Sequence, residues 1–219
     1  MENRSVNPPD NRNYEYALNQ SYQIAVGRLL KADDLESLCQ KSESVFKETG
    51  TLNVIEVKYL GRTCQVTMAP PEVKIESRND EEIPLKEKIL ILHYILEAKG
   101  TSLSGNLITF KELPEGPVYF RTFTQRTIKH LVNNFSDYPA RLLEAARLME
   151  GRKADYGDIG ISIDAFPRIP VTLVLWKGDT EFPAEGNILY DSTVSDYLPT
   201  EDIIVLTETI VWKMVKNSK

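Results

Sequence analysis

The stretch DIGISIDAFPRIPVTLVLW, residues 158–176, decides the fold class. Its two halves are rich in β-branched and large apolar residues, and Pro167 and Pro170 separate them. This pattern predicts two strands that meet at a corner. Val171–Trp176 is apolar except for Thr172, which is typical of a strand covered on both faces. We therefore expect the second strand to lie inside a sheet, with a neighbour on each side.

An earlier stretch also has the two-residue period of strands. Apolar and polar residues alternate over Asn53–Tyr59, and they alternate again over Cys64–Met68 after a tight turn at Leu60–Arg62. This pattern predicts a hairpin with one face exposed to water. Val73 and Ile75 predict a third strand at the edge.

Helical periodicity surrounds these strand groups. We expect helices within residues 1–50, over 85–98, as a pair over 124–149, and from Thr200 to the C-terminal end, with Thr124 and Thr200 as N-caps. This order is not the strict alternation of a doubly wound fold. The sequence therefore predicts an α+β fold, a mostly antiparallel sheet with helices packed on it. We expect a single domain over 1–219, with a helical N-terminal extension (1–50) and a main body (51–219).

Composition excludes several classes of protein. The 219 residues carry a net charge of −6, which argues against general nucleic-acid binding. No apolar run is long enough to span a membrane, and the N-terminus lacks the apolar core of a secretory signal, so a cytoplasmic location is expected. Two cysteines, Cys39 and Cys64, are too few to hold an iron–sulfur cluster within the chain.

Motifs for nucleotide binding, zinc proteolysis and serine hydrolysis do not occur in the sequence. Catalytic residues and metal ligands therefore stay unassigned, and the sequence does not decide whether the protein is an enzyme. His93 lies at the edge of the apolar face of the 85–98 helix, where its Nε2 could be an axial ligand of a metal or tetrapyrrole. The alternative is a partly buried structural histidine. His130 is expected to face solvent or a cleft.

The strongest local signal is a run of acids directly after the predicted inner strand. Residues 178–202 contain no Lys or Arg. Asp179, Glu181 and Asp191 could bind a hard cation, supply an acid/base pair or dock a basic partner. In the structural alternative, Asp179 closes a turn with Gly178, which we expect at positive φ, while Glu201 and Asp202 only stabilise a helix N-terminus. Four interspersed aromatic residues could wall a pocket for a flat ligand or belong to the core: Trp176, Phe182, Tyr190 and Tyr197.

The same C-terminal run carries a family resemblance. IPVTLVLWKGDTEFPAEGNILYDSTVSDYLPTED resembles a domain-of-unknown-function family of anaerobic bacteria and archaea. The middle of the chain is also similar, at LHYIL (92–96), Ser104-Gly105 and FKELP (110–114), so the likeness covers roughly 85–216. One departure is visible, because Glu150-Gly151 stands where the family has paired glycines.

The resemblance implies a setting but no reaction. Members of the family are sometimes joined to an iron–sulfur domain like that of corrinoid iron–sulfur proteins, which implies one-carbon or iron–sulfur metabolism. The leading hypothesis is a non-enzymatic accessory protein that binds a ligand or cofactor, such as a corrinoid or other tetrapyrrole, beside an iron–sulfur or corrinoid protein partner. The alternatives are a carboxylate-dependent, metal-assisted enzyme using Asp179, Glu181 and Asp191, and a protein-interaction module.

Overall fold

The fold is α+β, as the sequence predicts. A computed structural model describes residues 11–50, 52–79 and 81–218. The helices are α1 (Asn11–Leu30), α2 (Leu35–Lys41), α3 (Leu85–Glu97), α4 (Gly116–Arg126), α5 (Ile128–Phe135), α6 (Ala140–Arg147) and α7 (Thr200–Asn217). The strands are β1 (Val45–Thr49), β2 (Leu52–Tyr59), β3 (Arg62–Ala69), β4 (Glu72–Ser77), β5 (Leu107–Thr109), β6 (Arg152–Ala154), β7 (Ile159–Phe166), β8 (Ile169–Trp176) and β9 (Glu185–Asp191). In the described part of the chain, no helix has the length and apolarity needed to cross a membrane.

The first sheet is an antiparallel meander in the order β1-β2-β3-β4. The predicted hairpin is confirmed, since Val57 pairs with Cys64 and Tyr59 with Arg62. The predicted third strand is β4. Strand β1 corrects the prediction that 1–50 is helical: Val45–Thr49 pairs with β2. Only Phe46 of this strand is partly buried, so its side chains lack the alternation on which the prediction of strands depends.

The second sheet is also antiparallel, in the order β5-β9-β8-β7-β6. Strand β8 lies between β7 and β9, which confirms that Val171–Trp176 is part of an inner strand. The sequence predicted a single sheet, whereas the structure has two separate sheets. The sequence also left β9 unpredicted, because its acids and Gly186 resemble a loop, although Ile188 and Tyr190 are buried.

Both predicted threonine caps are wrong. Thr124 lies inside α4, a helix most of which the sequence pattern did not predict, and Thr127 precedes α5 instead. Pro199 precedes α7, and the Thr200 hydroxyl donates to the Pro114 carbonyl oxygen at 2.6 Å. Thr200 therefore holds the segment before α4 against α7 rather than capping its own helix.

The two sheets meet where β2 ends. The Leu60 amide donates to the Ala165 carbonyl oxygen at 3.0 Å, and the Tyr59 and Phe166 rings lie 4.9 Å apart. Phe166 also stacks on Tyr94 of α3, with ring centroids 4.1 Å apart. Helix α7 completes the core with a stripe of fully buried residues, Ile203, Leu206, Ile210 and Met214. Leu60, at this junction, also lines the cleft described below.

The turn after α6 forms without paired glycines. Glu150 adopts a left-handed backbone with φ of 55°, and the Gly151 amide donates to the Ala146 carbonyl oxygen at 2.9 Å. A Cβ at Gly151 would lie 2.5 Å from the Cβ of Ala146, so the second position needs glycine. The first position tolerates glutamate at the cost of a strained conformation.

Candidate functional site

His93 of α3 pairs with Asp202 in the first turn of α7. The His93 Nδ1 and Asp202 Oδ2 atoms are 2.6 Å apart, and the two side chains are 21% and 15% exposed. Among the described residues, no hydrogen bond involves the His93 Nε2. A carboxylate on one ring nitrogen fixes the ring and its tautomer, which leaves the other nitrogen able to bind a metal or accept a proton. Asp202 therefore does more than stabilise a helix end.

Asp179 closes its own turn. Its Oδ1 accepts hydrogen bonds from the Glu181 and Phe182 amides, both at 2.8 Å. The Phe182 amide and then the Glu181 amide hold the pKa of the Asp179 carboxyl below its usual range. Gly178 has no positive φ, so that prediction is wrong. The loop needs glycine for space instead, because a Cβ there would lie 2.7 Å from the Ala184 amide nitrogen.

Asp191 ties the end of β9 to the loop before β5. Its oxygens accept from the amide and hydroxyl of Ser104 at 3.1 and 3.0 Å, and from the Gly105 amide at 2.8 Å. The amide and hydroxyl of Thr193 donate at 3.0 and 2.8 Å. Burial alone would raise the pKa of Asp191, but the hydrogen bonds from Thr193, Ser104 and Gly105 outweigh it and lower the pKa to about 2. This carboxylate is engaged with its own protein's backbone and hydroxyls.

The four aromatic residues do not share one place. Tyr190 and Tyr197 are fully buried, and their hydroxyls bond to the Thr207 hydroxyl and the Thr101 carbonyl oxygen. Trp176 and Phe182 are 42% and 68% exposed. In the β8–β9 ladder, Trp176 pairs five residues from the level of Tyr190, which is a separation of roughly 16 Å.

The structure therefore distributes the eight predicted site residues over separate places. His93 lies on α3, Asp179, Glu181 and Phe182 lie beyond one end of β8, and Tyr190 lies in the core. A tetrapyrrole needs its ligand and its flat apolar walls together, so the eight residues as a set do not fit such a ring. In the described residues, no group of three or more His, Cys, Asp or Glu is placed to hold a metal ion.

A cleft that the sequence did not predict lies beside the junction of the sheets. It has a volume of about 650 Å³. Its walls are the β2–β3 turn, the segment between β4 and α3, the end of α6 and the end of α7. The lining residues are Leu60, Gly61, Arg62, Asn79, Glu81, Glu82, Pro84, Leu148, Met149, Lys213, Lys216 and Asn217. We call it the junction cleft.

A nearly buried charge network underlies one wall of the junction cleft. The Arg62 Nη2 donates to the Glu87 Oε2 at 2.8 Å, and the Lys213 Nζ lies 3.1 Å from the Glu87 Oε1. The Arg62 Nη1 also donates to the Glu81 Oε2 at 3.1 Å. The side chains of Arg62 and Glu87 are only 9% and 3% exposed, whereas that of Glu81 is 66% exposed. The network thus joins β3, α3 and α7.

Two donors in this region have no hydrogen-bond partner among the described residues. They are the Nε of Arg62 and the hydroxyl of Tyr59, both buried. Leaving a buried polar group unpaired is costly, so the two donors call for an explanation. Sequence patterns could not predict this network, because Arg62 looks like a turn residue, Glu87 like a helix-end acid and Lys213 like a surface residue, far apart in the chain.

The cysteines are not poised as nucleophiles. Burial raises the pKa of both the Cys39 and the Cys64 thiol to about 11. Both thiols are therefore protonated at neutral pH, whereas catalysis requires the thiolate. Cys64 is buried in the first sheet, on β3.

A family comparison covers most of the chain. The family model described as "Domain of unknown function (DUF3786)" matches residues 34–213. The chain belongs to this family. The match begins at Asp34, the N-cap of α2, and ends at Lys213 in α7, so the DUF3786 region includes the whole charge network. No curated protein and no solved structure matches the chain.

Proposed function

We propose that this DUF3786 protein is a non-enzymatic accessory protein that binds a small ligand in the junction cleft. The cleft's volume of about 650 Å³ lies within the range of small-molecule sites, roughly 300–1,000 Å³. The cleft lies beside the junction of the two sheets, with Leu60 of that junction in its lining. The lining offers Arg, Lys, Glu and Asn side chains, which bind ligands through charge and hydrogen bonds.

The observation that carries the proposal is the nearly buried guanidinium of Arg62 at the cleft wall. Burying a charged group is costly unless it is paired, and here one donor of that group has no partner among the described residues. A small number of well-placed charged groups in a cleft is typical of ligand sites. An Arg62–Glu87 ion pair that only held β3 to α3 would not need to lie at the wall of a cleft.

A screen of small metabolites against matched variants tests this proposal. Ligand-observed NMR would compare the wild-type protein with Arg62→Met and Arg168→Met. Arg168 is the control, because its Nε is also buried and unpartnered among the described residues and its Nη2 pairs with Glu43 at 2.7 Å, yet it does not line the junction cleft. We expect at least one compound to bind the wild type and Arg168→Met but not Arg62→Met. Equal binding by all three proteins would place the ligand elsewhere, and no binding by any would contradict the proposal.

The metabolic setting is a separate proposal that rests on the sequence resemblance. We propose a cytoplasmic protein of anaerobes that works beside a corrinoid or iron–sulfur protein. Anaerobic purification of the tagged chain from its native host, with metal analysis and absorption spectroscopy of what co-purifies, tests this setting. A preparation free of cofactor and of any such partner would contradict it.

A second candidate function concerns His93. Its Nδ1 contact with Asp202 is the kind of hydrogen bond that orients metal-bound histidines. We propose Nε2 as an axial ligand of a metal-bearing cofactor. Titration with haem or a cobamide would shift the Soret or corrin band of the wild type and of His130→Ala but not of His93→Ala. An unchanged wild-type spectrum would eliminate this candidate.

A further inference from the structure

We propose that Glu81 is an internal occupant of an anion subsite at Arg62, and that the ligand of the junction cleft is a dicarboxylate that displaces it. This inference rests on the proposed function and specifies the ligand's chemistry. One carboxylate of the ligand would replace the Glu81 carboxylate at the Arg62 Nη1, and the other would pair with Lys216 at the end of α7.

The two carboxylates on Arg62 differ in how firmly they are held. Glu87 is 3% exposed and also contacts Lys213, so both its oxygens are engaged. Glu81 is 66% exposed and makes a single contact, at 3.1 Å to the Arg62 Nη1. An exposed ion pair contributes little stability, whereas a buried one is costly to break. An incoming anion would therefore compete with Glu81 and leave Glu87 in place.

The chain around Glu81 allows the exchange. The first sheet ends at Ser77 and α3 begins at Leu85, so Glu81 lies between regular elements. Its neighbour Glu82 and Pro84 line the same cleft. Outward rotation of the Glu81 side chain breaks no strand or helix hydrogen bond, and it opens the guanidinium to the cleft.

The charges of the cleft favour an anion once Glu81 has moved. Arg62, Lys213 and Lys216 then carry three positive charges against the carboxylates of Glu87 and Glu82, so the site has one net positive charge. Lys216 lines the cleft as well, and within the described residues it has no ion-pair partner. Two cationic positions in one cleft suit a ligand with two carboxylates, since Arg binds carboxylate oxygens with directed hydrogen bonds.

The test compares Glu81→Gln with Glu82→Gln by isothermal titration with succinate at low salt. Both variants remove one negative charge from the same segment of the same cleft, but only Glu81 contacts Arg62 in the described structure. Removing an exposed competing carboxylate should tighten succinate binding about two- to five-fold in Glu81→Gln. Glu82→Gln should change the affinity by less than about two-fold.

A third variant tests the second carboxylate position. Lys216 is exposed, so Lys216→Gln is expected to fold normally. It should weaken succinate binding several-fold and leave the binding of acetate, a monocarboxylate, nearly unchanged. If Lys216→Gln weakened the binding of succinate and of acetate equally, the pairing of a second carboxylate with Lys216 would be overturned.

The remaining outcomes separate this inference from the proposed function. If succinate bound Glu81→Gln and Glu82→Gln equally more tightly, or bound Glu81→Gln more weakly than wild type, Glu81 would not be a competitor of the ligand at Arg62. If succinate binds no variant while another compound binds in an Arg62-dependent way, the dicarboxylate is overturned and the proposed function stands. If succinate binds a correctly folded Arg62→Met protein as well as wild type, its site is not at Arg62 and the dicarboxylate inference fails. Both proposals fail if, in addition, no other compound binds in an Arg62-dependent way.

Discussion

At the scale of single residues, the acids after β8 have distinct roles that their spacing alone does not reveal. The turn role of Asp179 was predictable, because its hydrogen-bond donors are two and three residues away. The donors to Asp191 include Ser104 and Gly105, on a loop 87 and 86 residues earlier in the chain. Asp202 likewise pairs with His93, 109 residues away. Sequence reasoning finds local partners and misses such remote ones, because nothing in the chain's periodicity encodes them.

The first prediction concerns Asp191→Asn. The folded-state pKa of Asp191 is about 2, below the usual value of 3.8, so the ionised carboxylate stabilises the fold above about pH 4 and this contribution is lost as the pH falls through 2. We expect the variant to lower the free energy of unfolding by roughly 2 kcal/mol at pH 7, or about 4–8 °C in Tm. The deficit relative to wild type should shrink between pH 4 and pH 2.

Thermal denaturation monitored by circular dichroism across that pH range checks this prediction. Glu181→Gln is the control, because Glu181 is exposed. Its stability at pH 7 should match that of the wild type. A constant difference between Asp191→Asn and wild type from pH 7 to pH 2 would show that lost packing, rather than lost charge, destabilises the variant.

At the scale of elements, the sequence predicted long periodic segments and missed short ones. Helices α3 and α7 and strands β2, β3, β7 and β8 repeat their pattern over two or more turns or alternations. Strands β1 and β6 and helix α4 have no clear pattern of their own in the sequence. The two strands form because β1 pairs with β2 and β6 pairs with β7. The edge of a longer strand has unpaired N–H and C=O groups, and these supply the hydrogen bonds that hold a short strand in place.

The second prediction compares two glycines in different elements. In the β8–β9 loop, Gly178→Ala puts a Cβ 2.7 Å from the Ala184 amide nitrogen, so the backbone must shift. We expect a loss of about 1–3 kcal/mol. Gly27 lies within α1, where an added Cβ would have none of the described residues within 4 Å. Gly27→Ala should therefore stabilise the protein by about 0.5–1 kcal/mol.

Chemical denaturation of both variants checks the opposite signs. The contrast matters because both substitutions add the same methyl group, and only the local space differs. If Gly178→Ala were as stable as wild type, the loop would accommodate the added Cβ despite its short distance to the Ala184 backbone.

At the scale of the whole molecule, the sequence predicted the α+β class but not how its parts meet. Two strand groups were evident, and the structure makes each a separate antiparallel sheet. The junction cleft forms where the β2–β3 turn, the segment between β4 and α3, the end of α6 and the end of α7 come together, so no single segment carries its signature. The resemblance to a domain-of-unknown-function family, by contrast, depended on a continuous run of residues and is confirmed by the family match.

The third prediction concerns Glu87, whose carboxylate links β3, α3 and α7. Glu87→Gln leaves the nearly buried Arg62 and the partly buried Lys213 without this charged partner. Breaking a buried pair in this way costs about 3–5 kcal/mol. Asp164→Asn is the control, because the Arg152–Asp164 pair is exposed on both sides and should contribute at most about 1 kcal/mol.

Urea denaturation followed by both fluorescence and circular dichroism checks this third prediction. Because the network joins elements from both halves of the chain, the two probes should report one shifted transition. Loss of a single sheet at lower urea, with the other unaffected, would mean that Glu87 stabilises only its own neighbourhood.

The order of strands along the chain has a consequence for biosynthesis. The first sheet consists of consecutive strands over residues 45–77, whereas β9, which pairs with β5 and β8, ends at residue 191, more than a hundred residues later. A ribosome adds about 5–20 residues per second, so the meander can emerge several seconds before the second sheet is complete. Arg62 and Glu87 can therefore find each other on the nascent chain well before Lys213 is synthesised. A chain arrested before α7 would expose that pair and the apolar faces that α7 later covers, and it would be a substrate for chaperones.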